Sequence, residues 1–174
     1  KEGGGHLYKV NVDGRAKIIQ LTQQPGLYQY PEWSYKSKRI AFHRGSTQSF
    51  QDLLGIRNMQ MFEDLMWVSS EGGNINLIDK SKQRFYPHFT KADDRVYLSN
   101  NNGELLSIRW DGTDKKVHLK LKGIVTYGSQ DKLDDHSLLP QEVEADAKDK
   151  SSKPDYIYIS PDGKSAMAKI NNDV

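Results

Sequence analysis

The sequence predicts an all-β fold built from four-stranded antiparallel units, and three observations point that way. Of 174 residues, 36% are hydrophobic and 10% aromatic, a balance that suits thin β layers better than a helical bundle. Residues 7–12 alternate apolar and polar side chains up to Asp13-Gly14, and residues 16–21 then resume the pattern; strand, acid-glycine turn and strand make a hairpin. The third observation is repetition. Residues 30–44 return in degraded form as residues 87–98 and 157–168. In each copy an apolar residue (Trp33, Phe89, Ile159) precedes a hydroxyl residue (Ser34, Thr90, Ser160), and a polar turn and an apolar-rich strand follow.

Taken in order, residues 1–5 are a polar, glycine-rich lead-in, and residues 6–22 form an acid-glycine hairpin. The same device recurs over 65–78 around Glu71-Gly72 and over 105–121 around Asp111-Gly112. Between these lie the Trp33-type hairpins. Their best-kept turn is Ser160-Pro161-Asp162-Gly163, where proline presets φ at the second position and glycine tolerates the last. Lys36-Ser37-Lys38 and Lys91-Ala92-Asp93 stand there in the other two copies, so those turns are expected to close differently. Alternating the two hairpins gives four short strands per unit. Trp33 and Phe89 are 56 residues apart, Phe89 and Ile159 are 70 apart, and Glu71 and Asp111 are 40 apart. A spacing of about 40 residues is that of one four-stranded propeller blade.

The predicted organisation is therefore one partial β-propeller over 1–174. It comprises the second hairpin of a blade (6–22), a full blade (28–79), a second full blade (84–121), an acidic insertion (123–153) and the first hairpin of a next blade (155–170). Both ends fall in mid-blade and a closed ring needs more blades, so these residues are expected to be a piece of a longer polypeptide. Uncovered sheet faces and strand edges in such a partial ring invite self-association. Two insertions stretch the repeat. Residues 45–64 carry Phe50, Leu53, Leu54, Ile56, Met59, Met61 and Phe62, and are expected to fold over their own blade as a short helix or arm, or to meet a partner. Residues 123–153 hold few large apolar side chains and read as a solvated excursion.

Residues 7–14 (Leu-Tyr-Lys-Val-Asn-Val-Asp-Gly), Gln20-Leu21-Thr22, Pro31-Glu32-Trp33-Ser34 and Arg39-Ile40-Ala41-Phe42 resemble the repeats of TolB-type β-propellers, and residues 67–73 and 160–164 continue the resemblance. Such repeats serve the periplasmic Tol protein, the propellers of prolyl-oligopeptidase-like and tricorn-like serine peptidases, and propellers fused ahead of metal-dependent amidohydrolase domains. Met66-Trp67-Val68 with Glu71-Gly72-Gly73, Asp111-Gly112-Thr113 leading into His118-Leu119-Lys120, the acidic insertion, and Pro154-Asp155 before residues 160–163 are most similar to the amidohydrolase-associated kind. The resemblance implies a non-catalytic scaffold, interaction or access-gating module of an exported, periplasmic bacterial protein. Its partner would be a protein or an adjacent catalytic domain. The alternatives it leaves open are the propeller of a serine peptidase and a free-standing Tol-like protein-binding propeller.

Little in the residues themselves carries chemistry. With 25 basic against 23 acidic residues the chain lacks the basic stripe that neutralises phosphates, so no nucleic-acid partner is expected. No apolar run reaches the length of a membrane span. The absence of cysteine excludes disulfides, thiolate metal sites and a cysteine nucleophile. No Gly-x-Ser-x-Gly elbow, zinc-peptidase spacing or phosphate-cradling loop is present, so no catalytic residue, metal or cofactor is expected. Asp131, Asp134, Asp135 and His136 form the one carboxylate and imidazole cluster, and without a glycine turn to converge its oxygens it reads as solvated loop. Glu32, His88 and Tyr158 share one repeat position and are expected to line a central channel. Tyr28, Tyr30 and Tyr86, just ahead of the innermost strands, are expected at its mouth. The candidate ligand or rim residues are Tyr30, Glu32, Tyr86 and His88. Trp33, Phe89 and Phe42 are expected in the core between blades, with His43 and His118 packed or surface-facing.

Overall fold

The computed structural model describes residues 4–13, 17–45, 64–80, 84–100, 103–121 and 156–169. Gly14, residues 46–63 and residues 123–153 lie outside them, and with them the predicted apolar arm and the cluster at Asp131, Asp134, Asp135 and His136. Strands β1 (Tyr8–Val10) and β2 (Ile18–Gln20) form an antiparallel hairpin. Strands β3 (Leu27–Trp33), β4 (Arg39–Gly45), β5 (Asp64–Ser69) and β6 (Asn76–Asp79) form a four-stranded antiparallel sheet in chain order. Strands β7 (Arg84–His88), β8 (Arg95–Asn100), β9 (Glu104–Arg109) and β10 (Lys116–Lys120) form a second, and β11 (Tyr156–Ile159) and β12 (Ala166–Lys169) close the series as a hairpin. The fold is all-β with blade-like sheets. Among the described residues there is no helix long and apolar enough to cross a membrane.

Alternation along the strands decides how the sheets stack. Adjacent residues on a strand point to opposite faces, and the central strands are apolar on both, so each sheet must be covered twice. On the first sheet, Ile40, Phe42, Met66 and Val68 face back to Leu21, Leu7 and Ile19 of the β1–β2 hairpin. Ala41, Leu65 and Ile78 face forward to Val96, Leu98, Leu106 and Ile108 of the second sheet. The opposite face of that sheet presents Tyr97 and Leu105 to Ile157 of the last hairpin. Phe42, Leu65, Val68, Val96 and Leu98 are fully buried, each such side chain contributing about 1.5–3 kcal/mol of transfer free energy.

Glycine at the acid-glycine turns lets successive sheets approach. Gly72 and Gly112 adopt φ of 83° and 81°, and their N–H groups donate to Ser69 O and Arg109 O. Gly72 lies against the Gln20 and Leu21 backbone, and Gly112 against the Ile78 carbonyl. Each turn thus seats on the outer strand of the sheet before it.

Two expectations need correction. The Trp33-type turns close alike in all three copies: Ser37, Asp93 and Gly163 donate N–H to Ser34 O, Thr90 O and Ser160 O at 2.8, 3.0 and 2.9 Å, with φ of 55°, 59° and 75°. Serine and aspartate occupy the left-handed position that glycine fills in the third copy. Trp33 is not core but 45% exposed. It pairs with Ile40, on the face turned to the β1–β2 hairpin, and among the described residues that hairpin brings two strands to the interface. Phe89, at the same repeat position, meets a full sheet and stacks on Trp110 at 5.3 Å and 7°.

Candidate functional site at the inner edge

The first strand of each four-stranded sheet carries a Tyr-Pro bulge. Gln29 and Glu32 pair with His43 and Ala41, so Tyr30-Pro31 contains one residue more than the partner strand. Phe85 and His88 pair with Ser99 and Tyr97 around Tyr86-Pro87 in the same way. The tyrosines take left-handed φ of 49° and 44°. Proline has no N–H to give a ladder and is tolerated at an edge strand or bulge; the extra residue re-aims the side chain before it. In the third copy Tyr156 and Ile157 replace Tyr-Pro and pair regularly with Lys169 and Ala168. Tyr28, Tyr30 and Tyr86 accordingly lie inside β3 and β7 rather than ahead of them, because the bulge absorbs the irregularity without ending the strand.

These bulges bring two of the predicted site residues together. The Tyr30 and Tyr86 rings meet edge to face at 4.6 Å. Burial first, and then the Tyr86 hydroxyl and its hydrogen bond, hold the Tyr30 phenol above its ordinary range. The His43 ring stands 6.4 Å from Tyr30, buried at the inner end of the same interface. Glu32 is largely exposed, and partial desolvation still raises its carboxyl above the usual range. His88 sits one sheet further on. Its Nδ1 lies 3.0 Å from Tyr86 O and its Nε2 accepts the Ile159 N–H at 3.0 Å, with Tyr158 4.8 Å away, ring to ring. Of the four candidates, the Tyr30 and Tyr86 rings meet each other, the His88 ring meets the Tyr86 backbone carbonyl, and Glu32 follows Tyr30 on β3.

A polar group that the sequence reading did not single out lies across the second sheet. Arg95 is 7% exposed. Its Nε donates to Ser107 Oγ at 2.8 Å, its Nη1 to Asp114 Oδ2 at 2.6 Å, and its Nη2 to the Asp114 carbonyl. With Arg95 donating into the Ser107 oxygen, the Ser107 hydroxyl donates to His118 Nε2 at 2.7 Å. His118 reaches it through a bulge: Val117 and Leu119 pair with adjacent residues Leu106 and Leu105. Ile78, 40 residues earlier, is bulged in the same way on β6 and fills the core instead. The visible signal was Arg39 and Arg95 at matching repeat positions.

This serine and histidine do not make a nucleophile pair. Ser107 is fully buried, and Asp114 is held by Arg95, Arg109 and Lys116 rather than standing behind His118 as an acyl-transfer triad requires. Hydrogen bonding to Arg95 foremost keeps the Asp114 carboxyl below its usual range. Burial, then Arg95 and Lys116, lower the His118 imidazole. Among the described residues no group of three or more His, Asp or Glu side chains is arranged to hold a metal ion.

Comparison with protein-family models gives no match, and comparison with curated proteins gives no significant relative.

Proposed function

We propose that the chain is a non-catalytic segment of a TolB-like β-propeller in an exported bacterial protein, acting as a scaffold, interaction or access-gating module for an amidohydrolase-type hydrolase domain. The observation that carries this reading is the recurrence of one blade-like plan. The same turn, the same Tyr-Pro bulge and the same glycine seat recur from sheet to sheet. The described serine and histidine side chains that meet are engaged in holding strands together. What the plan leaves at the inner edge is the Tyr30 and Tyr86 pair with Glu32 nearby in sequence, an aromatic and acidic patch suited to contact with a protein surface or an entering ligand.

The reading frame beyond codon 174 tests the proposal. A segment with histidine-rich metal-binding motifs supports it. A Gly-x-Ser-x-Gly elbow would transfer the module to a serine peptidase, and a stop codon directly after the last blade would favour a free-standing binding propeller. For the module itself, Tyr30→Ala with Tyr86→Ala is expected to leave the circular dichroism of the sheets in place while weakening capture of the adjoining catalytic domain. Undiminished capture would remove the inner-edge patch from the proposal.

A further inference from the structure

We propose that His88 is an acid-sensitive latch: its neutral imidazole ties β7 to β11, and protonation releases the β11–β12 hairpin from the sheet that it covers. The chemistry follows from the two groups that the ring meets. Tyr86 O can only accept, so His88 Nδ1 carries the hydrogen; the Ile159 amide can only donate, so Nε2 presents a lone pair. These backbone partners fix one neutral tautomer. An imidazolium has no lone pair, and at Nε2 it would set two donors head to head at 3.0 Å. Neither can reverse, since one is a peptide N–H and the other a ring N–H.

Among the described residues no carboxylate acts on the His88 ring. Tyr97 from β8 stands 6.1 Å away and Tyr158 from β11 4.8 Å away, ring to ring. His118 from β10 lies behind Tyr97 at 5.3 Å, with Ser107 of β9 beside it. From β3, Tyr30 meets Tyr86, and Glu32 occupies the corresponding place one sheet earlier. The charged groups near His118 are Arg95, Lys116 and Asp114, and that carboxylate is already shared among Arg95, Arg109 and Lys116. Burial holds the His88 imidazole below its ordinary 6.5, opposed only by the hydrogen bond to Tyr86.

The hairpin also packs Ile157 against Tyr97 and Leu105, with Ile159 and Ala168 beside them, and the Lys91 N–H donates to Pro161 O at 2.7 Å. Because the docked pKa is depressed, docking is at full strength above pH 6.5 and weakens as pH falls toward the docked value. The docking equilibrium falls by up to about tenfold per pH unit across that window.

Amide hydrogen exchange on the full 174-residue chain between pH 7.5 and 5, corrected for intrinsic rates, reads this directly. Protection at Ile159 and its neighbours is expected to fall by about tenfold or more while amides at Leu98 and Leu106 keep theirs. His88→Gln retains a donor and an acceptor but does not titrate, so its protection at Ile159 is expected to be independent of pH. Unchanged protection in the parent chain overturns the latch, as does a His88→Gln chain with the parent's pH profile, which would assign the effect to His118 or another group. Should that variant fail to fold, nitrogen NMR of the parent decides: an Nε2–H tautomer at pH 7.5 overturns the proposal.

Discussion

Gly112 shows how much of this molecule rests on single backbone positions. It takes φ of 81°, and a β-carbon there would overlap the Ile78 carbonyl oxygen of the preceding sheet. Gly112→Ala combines left-handed strain with a steric conflict against backbone, which cannot rotate away. A loss of about 2–3 kcal/mol is expected in chemical denaturation. Gly72→Ala should cost less, since its nearest neighbour, Gln20 O, would lie at 3.1 Å. Equal costs would count against the seat at Ile78 as the cause. The converse applies at Ser37, exposed and held at φ 55° where the third copy has Gly163. Ser37→Gly is expected to stabilise by about 0.5–1 kcal/mol, the relief of left-handed strain exceeding the entropy that glycine adds to the unfolded chain. A lowered denaturation midpoint would contradict it.

At the scale of elements, the two matched arginines fill successive interfaces by different physics. Arg39 lies 5.0 Å from the ring centroids of both Trp67 and Trp110, one tryptophan from each sheet. Arg95 meets Ser107, the residue that stands where Trp67 does one sheet earlier, and so builds a hydrogen-bonded network with Asp114. A double-mutant cycle of Arg39→Leu and Trp110→Leu is expected to give a coupling of about 0.5–2 kcal/mol; additive losses would reduce Arg39 to a packed aliphatic stem. The contrast also marks what was legible beforehand. Strand alternation and the Glu71 to Asp111 spacing are local or periodic, so the meander sheets could be read from residue order. Tyr-Pro was visible at 30–31 and at 86–87, but a bulge is a property of pairing and shows only against His43 or Ser99. The closure of the turns at Ser37 and Asp93 was hidden because a left-handed position accepts more than glycine when the flanking strands fix it. Trp33 misled for a tertiary reason, since its burial depends on how many strands the preceding hairpin brings. Arg95 escaped notice because His118 reaches Ser107 only through a register slip.

For the whole molecule, the two terminal hairpins are complementary halves. By its Asp13-Gly14 sequence β1–β2 corresponds to β5–β6, whereas β11–β12 carries the Trp33-type turn and corresponds to β3–β4. In the 174-residue polypeptide two full sheets lie between them in chain order, so pairing between copies is the route by which they would meet. In the first sheet Ile40, Ala41 and Phe42 pair with Val68, Trp67 and Met66. Carried through the repeat, Ala166, Met167 and Ala168 would pair with Val10, Lys9 and Tyr8 of a second copy. That register turns Tyr8 and Val10, 56% and 54% exposed, to the side on which Ala168 packs, over Leu119 and Leu121. It would pair the edges of β12 and β1 that have no partner strand among the described residues and extend the cover of the second sheet on the face that carries Leu119 and Leu121. Unpaired edges and apolar faces of this kind drive strand addition. The 174-residue polypeptide is therefore expected to associate in a concentration-dependent way by multi-angle light scattering. Tyr8→Lys with Val10→Lys is expected to shift it toward monomer without loss of the four-stranded sheets. A monodisperse monomer for the parent chain would sink this pairing, and a variant that associates as strongly as the parent would move the contact elsewhere.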